Sequence, residues 1–492
     1  MHVPASNDLW INREIDGLKK CIVKELHSLR ALSSDTSISQ YALIAGSAEM
    51  LSNEAREDPR IYYNVSAPSS VFICGSQGSG KSHTLSCILE GCLIRSSRLG
   101  SLQNPLTGMV FHYDDYASDS RVSPCEAAYL SSDPSVKVRV LCSPTNIETL
   151  KKSYKGLENV AIEKLQLDEA QLDTKRMFEL MAFEGSQPLY AQVIQRILRE
   201  MRLEQQVTGG GFSYKKFLQR IAESNLKPDQ RAFLQQRLDT LESFMVTEQI
   251  SNRKYSSKKS GTKWAPTPGE LIIVDLSCPT ITAPMACSLF NICLSIFLKA
   301  HDHSSNIGRI VALDEAHRYM GDTTEAAAFT DGLLATIRYQ RHIGTRIVIS
   351  TQEPTISPKL LDLCSVTIVH RFTSPDWLRV LTQHLAGVST VPKASNMVNG
   401  TENSESIESA LDGLNPLKIS TNSPGMELFS RIIGLRTGEA LIFAPSAVVG
   451  LCREIRPSQD LRIVSQKLAY GVLHVIVRDR ITADGGRSLM AE

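Results

Sequence analysis

Glycines, a lysine and a serine occur together in one short segment, GSQGSGKS, which runs from Gly75 to Ser82. The segment fits the pattern G-x-x-x-x-G-K-[ST] and lies between an apolar strand pattern and a helical pattern. Glycines let successive backbone N–H groups curl around phosphate oxygens, and the helix N-terminus adds positive partial charge. The segment therefore predicts a P-loop, with Lys81 on the β- and γ-phosphates of ATP and the Ser82 hydroxyl on Mg²⁺. The predicted nucleotide-binding residues are Gly75, Ser76, Gln77, Gly78, Ser79, Gly80, Lys81, Ser82 and His83.

A second, acidic element is needed if the bound triphosphate is hydrolysed, and the segment IVALDE has the required composition. Its four apolar residues predict a buried strand, which ends in Asp314 and Glu315. At that strand end we expect Asp314 to hold Mg²⁺ through its water shell and Glu315 to act as general base on the attacking water. A solvated acidic turn is the alternative, and the complete P-loop upstream favours catalysis.

The letters DEAH, at residues 314–317, also match a helicase motif. Helicases of that class carry a second RecA-like domain with a QxxGRxGR-type arginine motif. Fewer than 180 residues follow Glu315, and they contain no such motif. A DEAH-type helicase is therefore the weakest of three candidate functions, and His317 is assigned no chemistry.

The segment Arg338–Asp376, RYQRHIGTRIVISTQEPTISPKLLDLCSVTIVHRFTSPD, resembles the FtsK–HerA superfamily of ring-forming, DNA-pumping ATPases. The shared pattern is an arginine, a glycine, a strand, TQ-x-P, a short helix and a strand ending in arginine. GELIIVDLS and RTGEALIFAP are similar to two further strands of that superfamily, and the matching segments follow in the same order over about 66–115 and 269–455.

This resemblance implies roles for residues that spacing alone would not single out. Gln352 is expected to be a polar sensor between the γ-phosphate and Glu315, since its amide can report whether phosphate is present. Arg371 and Arg341, and after them Arg338, are candidates for an arginine finger inserted into a neighbouring subunit's site. A surface ion pair is the alternative for each arginine.

The elements that must position these residues alternate between strand and helix patterns. Apolar strand runs at Val71, Gly108, Val136, Leu271, Arg309, Arg346, Val366 and Glu439 are separated by helices, which predicts a mainly parallel sheet covered on both faces. The predicted fold class is α/β, a RecA-like P-loop NTPase with a large helical insertion.

The predicted organisation has five parts. They are an N-terminal helical segment (1–65, with helices at 8–31 and after Ser37), the first part of the ATPase core (66–145), a helical insertion with a basic connector (146–265), the second part of the core (266–455, with a mobile loop at about 386–428), and a C-terminal segment (456–492). In the insertion, helical spacing places Leu189, Val193, Ile194, Ile197, Leu198 and Met201 on one face.

Composition excludes little. The net charge of +1 carries no whole-protein signal for nucleic acid. Eleven cysteines without a CxxC pair favour reduced, buried thiols, and the N-terminus lacks a signal-peptide pattern, so we expect a cytoplasmic or nuclear protein that is not secreted. The apolar stretch 283–300 has borderline length for a membrane span, and a helix packed on the sheet is favoured.

Three functions remain open on the sequence alone. The leading hypothesis is an ATPase that binds ATP and Mg²⁺ and moves DNA or another polymer through a homo-oligomeric ring, such as a hexamer. The alternative is a slow nucleotide-dependent switch or scaffold with a protein partner at the insertion, and the third is the helicase. Lys215, Lys216, Arg220 and the run 253–263 could contact DNA phosphates, although a solvated face is favoured.

Overall fold

The computed structural model describes residues 39–52, 58–180, 189–246, 261–300, 307–384, 424–455 and 461–485. The predicted helix at 8–31, the basic run up to residue 260 and most of the predicted mobile loop lie outside these residues. The last residues of that loop, from Pro424 onward, begin a helix, Pro424–Gly434.

Fifteen strands are present in the described residues. They are β1 Tyr41–Ser47, β2 Arg60–Asn64, β3 Ser70–Cys74, β4 Gly100–Ser101, β5 Thr107–His112, β6 Lys137–Cys142, β7 Val160–Lys164, β8 Glu270–Asp275, β9 Arg309–Leu313, β10 Thr345–Thr351, β11 Val366–Val369, β12 Glu439–Phe443, β13 Val448–Ile455, β14 Leu461–Lys467 and β15 Leu473–Val477. Strands β13 and β14 form a separate hairpin, and the other thirteen form one sheet.

The order of the large sheet is β2-β1-β15-β12-β11-β3-β10-β9-β5-β8-β6-β7, and β4 pairs with β1. The strands from β11 to β7 in this order are all parallel. The remaining five, β12, β15, β1, β2 and β4, extend the sheet by antiparallel pairing. The predicted mainly parallel α/β sheet is therefore confirmed, and the five strands added by antiparallel pairing extend it.

Helices lie on both faces of the sheet. They are α1 Ala48–Ser52, α2 Lys81–Leu93, α3 Ile147–Ser153, α4 Thr174–Leu180, α5 Leu189–Thr208, α6 Tyr214–Ala222, α7 Pro228–Ser243, α8 Ala283–Lys299, α9 Thr324–Ile343, α10 Pro358–Leu363, α11 Pro375–His384 and α12 Pro424–Gly434. Short 3₁₀ helices occupy Glu126–Ser132, Glu169–Gln171, Ala316–Arg318 and Pro354–Ile356.

Alternate residues of the parallel strands enter two separate hydrophobic cores, because successive side chains of a strand point to opposite faces. Phe72 and Phe111 belong to the core that contains α8, α9 and the helical insertion. Val71 and Val110 belong to the core beneath the P-loop helix α2. Both faces of the sheet are thus covered, as the near-continuous apolar strand runs predict.

The helical insertion begins later than predicted. Residues 147–153 form α3, but β7 then joins the edge of the main sheet beside β6, so the chain leaves the sheet only after Lys164. Helices α4 to α7 follow, and α5 buries Ile194, Ile197, Leu198 and Met201 as the helical spacing predicts. The predicted boundary at residue 146 placed this short strand in the insertion because its sequence, VAIEK, has only three apolar residues before two charged ones.

The predicted helix after Ser37 is wrong. Residues 41–47 form β1, which pairs with β2, β4 and β15. The segment YALIAGS contains small residues that satisfy helix and strand propensities alike, and its sheet partners lie far away in the chain. Tertiary pairing therefore overrides the local pattern.

The predicted C-terminal segment is part of the core. Strand β15 pairs with β1 and β12, and the residues after it pack on α2. Arg478 donates from Nη1 to Oε2 of Glu90 at 2.6 Å, and Thr482 donates to the same carboxylate from its hydroxyl at 2.6 Å and its backbone N–H at 3.0 Å. Glu90 is fully buried on α2, so the end of the described chain stabilises the P-loop helix directly.

The expected state of the thiols is confirmed where the chain is described: nine cysteines are free, and eight of them are buried. Among the described residues, no helix has the length and apolarity needed to cross a membrane. Helix α8 instead packs against α9, with Phe290 and Phe297 fully buried.

Candidate nucleotide-binding site

The glycine loop connects the end of β3 to the start of α2, as its pattern predicts. Gly75 must lack a side chain, because a Cβ atom there would lie 2.7 Å from Cβ of His370 and 2.9 Å from Oγ of Ser79. Gly80 precedes α2 with a φ of 111°, in the region that glycine alone adopts without strain. Gln77 and Gly78 are exposed at the tip of the loop. The loop is thus shaped by its backbone, which suits a phosphate cradle.

The Ser76 carbonyl oxygen accepts hydrogen bonds from two polar side chains of the loop. It accepts hydrogen bonds from Oγ of Ser79 at 2.7 Å and from Nζ of Lys81 at 3.1 Å. Lys81 is 3% exposed. Burial lowers the pKa of its ammonium group, and the nearby carboxylates of Glu315 and Asp314 oppose that shift. The lysine therefore stands as a buried cation beside two acids, with a weak carbonyl contact that a phosphate can replace.

Two strand ends brace the loop from outside. The backbone N–H of Ser76 donates to the Arg371 carbonyl at 2.8 Å, and that of Gly438 donates to the Ser79 carbonyl at 3.3 Å. The fully buried His370 ring contacts Oγ1 of Thr84 at 2.9 Å and the Glu439 carbonyl at 2.9 Å. Burial lowers the pKa of His370 to about 4, so the ring is neutral and joins α2 to β12 through hydrogen bonds alone.

Strand order brings the acidic pair and the predicted sensor to the same edge of the sheet. Strand β10 lies between β3 and β9 and is parallel to both. The carboxyl ends of parallel strands meet at one edge, so Gln352 after β10, Asp314 and Glu315 after β9 and the loop after β3 converge there. Nε2 of Gln352 donates to Oε2 of Glu315 at 3.2 Å.

Glu315 has an unusual backbone. Its φ of 46° and ψ of 48° are left-handed, a conformation that costs a non-glycine residue about 1–3 kcal/mol and clusters at functional sites. Burial, and then the adjacent Asp314 carboxylate, raises the pKa of Glu315, while Lys81, Arg318 and Gln352 oppose that rise. A carboxylate with a raised pKa accepts a proton more readily, as a general base requires.

His317 is part of this group, although the sequence assigned it no chemistry. Nδ1 of His317 lies 3.3 Å from the backbone nitrogen of Gln352 and 3.3 Å from Oε2 of Glu315. One ring nitrogen cannot accept from the former and donate to the latter at once. Burial lowers the pKa of His317 to about 4, so the ring is neutral, and Nδ1 accepts from the Gln352 N–H. His317 therefore fixes the strand end that carries Gln352, the predicted sensor.

Asp314 is held by two residues that the sequence analysis missed. Oδ2 lies 3.1 Å from Nδ1 of His112 and 3.8 Å from Sγ of Cys125. Burial opposes a charged His112 ring, but its partners hold the pKa of His112 well above its ordinary value. Since burial raises the pKa of Cys125 to about 11, the thiol is protonated at neutral pH. The carboxylates of Asp314 and Asp275 are therefore the charges that raise the pKa of His112 there.

The Asp314 carboxylate fits a Mg²⁺ site of the predicted kind. Its second oxygen, Oδ1, is buried and has no hydrogen-bond partner among the described residues. A buried, unpartnered carboxylate oxygen is costly unless a ligand completes it, and carboxylate and hydroxyl oxygens are the donors that Mg²⁺ prefers. The ligand atoms of His112, Cys125 and Asp314 also lie within 4.8 Å of one another. The hydrogen bonds from His112 and Cys125 to Oδ2 of Asp314 explain why these three side chains are so close together.

The structure separates the remaining predicted site residues. Nε2 of His83 contacts the Arg478 carbonyl at 2.8 Å, so its ring faces the C-terminal segment, leaving its backbone N–H in the first turn of α2. Arg338 and Arg341 lie on the last turns of α9, which leads to the opposite end of β10, about 20 Å from Gln352 by strand length. Arg371 lies at the site edge, beside its own P-loop.

A sequence signal existed for His112, but not for the others. The run GMVFHYDD places a histidine at the end of an apolar strand, at the edge of the sheet where the parallel neighbours carry the predicted site residues. Cys125 and His370 have no such signal, because only the pairing of distant strands and a 3₁₀ turn brings them to the site.

Fold and site together define a class: an α/β domain of the RecA-like P-loop type. No protein-family model matches the sequence, and a search of curated proteins finds no match either. Solved structures are similar to the chain. VirB4 of Thermoanaerobacter pseudethanolicus has a TM-score of 0.45 and 10% identity, over 89% of this chain and 97% of VirB4.

The plasmid coupling protein TrwB, solved with the GTP analogue GDPNP, has a TM-score of 0.43 and 11% identity, over 91% of this chain and 96% of TrwB. The genome packaging NTPase B204 of Sulfolobus turreted icosahedral virus 2, solved with ATP-gammaS, has a TM-score of 0.26 and 9% identity, over 80% of this chain and 96% of B204. At such low similarity, function has to be inferred from the site itself.

Proposed function

We propose that this chain is a Mg²⁺-dependent ATPase that couples hydrolysis to the movement of DNA or another polymer through a ring of identical subunits. One observation carries the ATPase part: a glycine cradle with a buried lysine, a metal-type aspartate, a strained glutamate and an amide sensor converge at adjoining strand ends. Any one of these features has a structural explanation, but their convergence around a single loop does not.

The proposed roles follow from the positions of the atoms. The free N–H groups of the loop and of the first turn of α2 bind the phosphates, and Lys81 leaves the Ser76 carbonyl to contact the β- and γ-phosphates. Glu315 takes a proton from the attacking water as the water oxygen bonds to the γ-phosphorus. The bond from that phosphorus to the β–γ bridging oxygen breaks in the same step and releases ADP. Gln352 holds the Glu315 carboxylate through Oε2 and thereby leaves Oε1 for the water.

Ser82 and Asp314 would hold Mg²⁺ in this site, Ser82 through its hydroxyl and Asp314 through the free oxygen Oδ1. When bound, Mg²⁺ neutralises charge on the phosphate oxygens. Ser82 follows Lys81 in the first turn of α2. Asp314, at the end of β9, is close enough to the lysine for its carboxylate to raise the pKa of Lys81.

The ring part of the proposal is supported by Arg338 and Arg341. Both guanidinium groups are exposed, and within the described residues neither makes an ion pair or a hydrogen bond. Because they lie at the end of the sheet opposite the P-loop, they could contact a triphosphate only in another copy of the chain. By contrast, Arg220 of the insertion is paired with Glu200 and Glu204, which weakens its candidacy for DNA.

The test is the ATP hydrolysis rate of the full chain as a function of protein concentration, with and without duplex DNA. A translocase ring predicts turnover per subunit that rises with protein concentration and with DNA, and loss of turnover in Glu315→Gln. Slow turnover that responds to neither would instead favour the nucleotide-dependent switch or scaffold. No hydrolysis by wild type, with ATP bound, would refute the ATPase.

A further inference from the structure

Strand register places His112 directly beside Asp314. In the parallel pairing of β5 with β9, Phe111 lies opposite Leu313, and the Asp314 N–H donates to the Phe111 carbonyl at 3.0 Å. The next residue of each strand therefore projects at the same edge of the sheet. The result is the 3.1 Å contact between Nδ1 of His112 and Oδ2 of Asp314.

The two oxygens of Asp314 have different surroundings. Oδ2 faces two donors, the His112 imidazole and the Cys125 thiol, whereas Oδ1 has none among the described residues. His112 is 8% exposed, Asp314 is 3% exposed and Cys125 is fully buried. A site that needed only packing would hold apolar residues here, as the preceding positions of both strands do. The two donors, His112 and Cys125, thus hold the Asp314 carboxylate by hydrogen bonds.

We propose that His112, assisted by Cys125, is a positioning residue that holds Asp314 through Oδ2 so that Oδ1 is presented to the hydration shell of Mg²⁺. This inference rests on the proposed function, in which Asp314 serves the metal. Hydrogen-bond partners of metal-associated side chains restrict their orientation, and removing such a partner costs about 10- to 100-fold in metal affinity or activity. Cys125 contributes less, because a thiol at 3.8 Å is a weak donor.

The test compares His112→Leu with His112→Asn in the full chain. Leucine removes the donor, and asparagine keeps one, since its Nδ2 lies near the position of the imidazole Nδ1. The first readout is the thermal stabilisation by a non-hydrolysable ATP analogue, measured with Mg²⁺ and with a chelator. The second is the Mg²⁺ concentration that gives half-maximal ATP hydrolysis.

We expect His112→Leu to raise the half-maximal Mg²⁺ concentration by about 10- to 100-fold and to lose the Mg²⁺-dependent part of the thermal stabilisation. The stabilisation in chelator should stay as in wild type, and His112→Asn should resemble wild type in both readouts. The matched control is Thr107→Val, which removes the 2.6 Å hydrogen bond to the Thr267 carbonyl at the other end of β5. It should leave the Mg²⁺ dependence unchanged.

A wild-type Mg²⁺ curve for His112→Leu would overturn the inference, as would equal losses in His112→Leu and His112→Asn. Failure of both variants to fold would also overturn it, because His112 would then be a structural residue. Asp314→Asn separates this inference from the proposed function. If Asp314→Asn keeps Mg²⁺-dependent hydrolysis, Asp314 does not serve the metal and the proposed function fails at this residue. If Asp314→Asn is inactive while His112→Leu has the wild-type Mg²⁺ dependence, only the positioning role of His112 is refuted.

Discussion

Nε2 of Gln352 and Oε2 of Glu315 are 3.2 Å apart, although 37 residues separate them in the chain. The contact links the end of β10 to the residue after the neighbouring strand β9. It joins the proposed general base to the side chain that is proposed to sense the γ-phosphate. A change at the phosphate can therefore reach the base through one hydrogen bond.

The first prediction concerns the base itself. Glu315→Gln should lower kcat for ATP by about 10²- to 10⁴-fold, because an amide cannot take the proton from water. ATP affinity should remain, since the glycine loop and Lys81 are untouched. Steady-state hydrolysis and direct binding of labelled ATP measure the two effects. Asp331→Asn, which changes an exposed acid on α9, is the control and should behave like wild type. Equal losses of binding and turnover would contradict the assignment.

The second prediction concerns the pH dependence of kcat. Gln352 donates to the charged form of Glu315 and so lowers its pKa, against the raising effects of burial and Asp314. Removing the donor in Gln352→Leu should raise that pKa, so that protonation of the base begins at higher pH. The acid limb of the kcat–pH profile should lie above the ordinary glutamate value of 4.5 in wild type. In the variant it should lie higher still.

Gln352→Leu should also lower kcat, by an amount set by the strength of the hydrogen bond from Gln352 to Glu315. A hydrogen bond to a charged group contributes about 1.5–3 kcal/mol, which corresponds to about a 10- to 150-fold lower kcat. Gln219→Leu is a matched control, because Gln219 makes a similar 2.9 Å bond to Glu223 on the surface of the insertion. An acid limb that stays in place in Gln352→Leu would argue against the contact in solution.

The third prediction distinguishes an arginine finger from a surface charge. Arg341→Ala and Arg338→Ala should each be mixed with Glu315→Gln, a variant with an intact finger and an inactive site. If one of these arginines acts on a neighbour, its alanine variant alone should lose about 10³- to 10⁵-fold in turnover. The mixture should regain part of that activity, because the two defects complement each other across an interface.

Arg371→Ala is the contrasting case in the same mixing experiment. The Ser76 N–H donates to its backbone carbonyl, so Arg371 lies next to the P-loop of its own chain. If its side chain serves that nucleotide, the defect of Arg371→Ala lies in its own site and mixing would not rescue it. An Arg341 or Arg338 variant that keeps full turnover, or that mixing never rescues, would eliminate that residue as a finger.

The fourth prediction is a pH-dependent loss of stability through His370. Burial lowers its pKa from 6.5 to about 4 in the folded state, so the unfolded chain binds the proton first as the pH falls. The stability associated with the neutral ring is present above pH 6.5 and is lost as the pH falls towards 4. Between pH 7 and pH 5 the loss amounts to about 2 kcal/mol of unfolding free energy.

His370→Asn can keep the donor to the Glu439 carbonyl without a titrating ring. Urea unfolding at pH 7 and pH 5 should show a smaller pH dependence in this variant than in wild type. His342→Asn, at an exposed histidine on α9, should keep the wild-type dependence. Equal slopes for wild type and His370→Asn would contradict a neutral buried ring.

The fifth prediction concerns the contact between the C-terminal segment and the P-loop helix. Arg478→Met removes the guanidinium group 2.6 Å from the buried Glu90 carboxylate and leaves the more distant Arg480 group at 4.0 Å. It also removes donors to the Cys87 and Leu43 carbonyls. Breaking a buried pair in this way costs about 3–5 kcal/mol. Arg379→Met removes an exposed pair with Asp376 and should change the urea midpoint little. Similar midpoints for the two variants would contradict a stabilising role for Arg478.

Local patterns were sufficient for the elements that carry the P-loop and the acidic pair. The glycine spacing from Gly75 to Ser82 and the apolar run before Asp314 are each contained in fewer than ten residues. The conformation of the glycine backbone, the burial of the strand and the start of the helix all depend on residues within that short range. The sequence therefore predicts them. The same is true of the parallel strands, whose apolar runs alternate with helices.

Other elements depend on partners that are distant in the chain. Strand β1 was predicted as helix, and β15 was left outside the core, because their own residues suit either state until they pair with each other. The beginning of the insertion was misplaced for the same reason, since β7 is a strand only beside β6.

The sequence by itself determined which residues could bind a triphosphate and which acids could serve it, because those chemistries need particular side chains at short, fixed spacing. Only the tertiary structure decided what holds these side chains. His112 and Cys125 reach Asp314, and His317 reaches the end of β10, through strand register and burial. Such contacts join residues up to about 200 positions apart, and chain spacing carries no information about them.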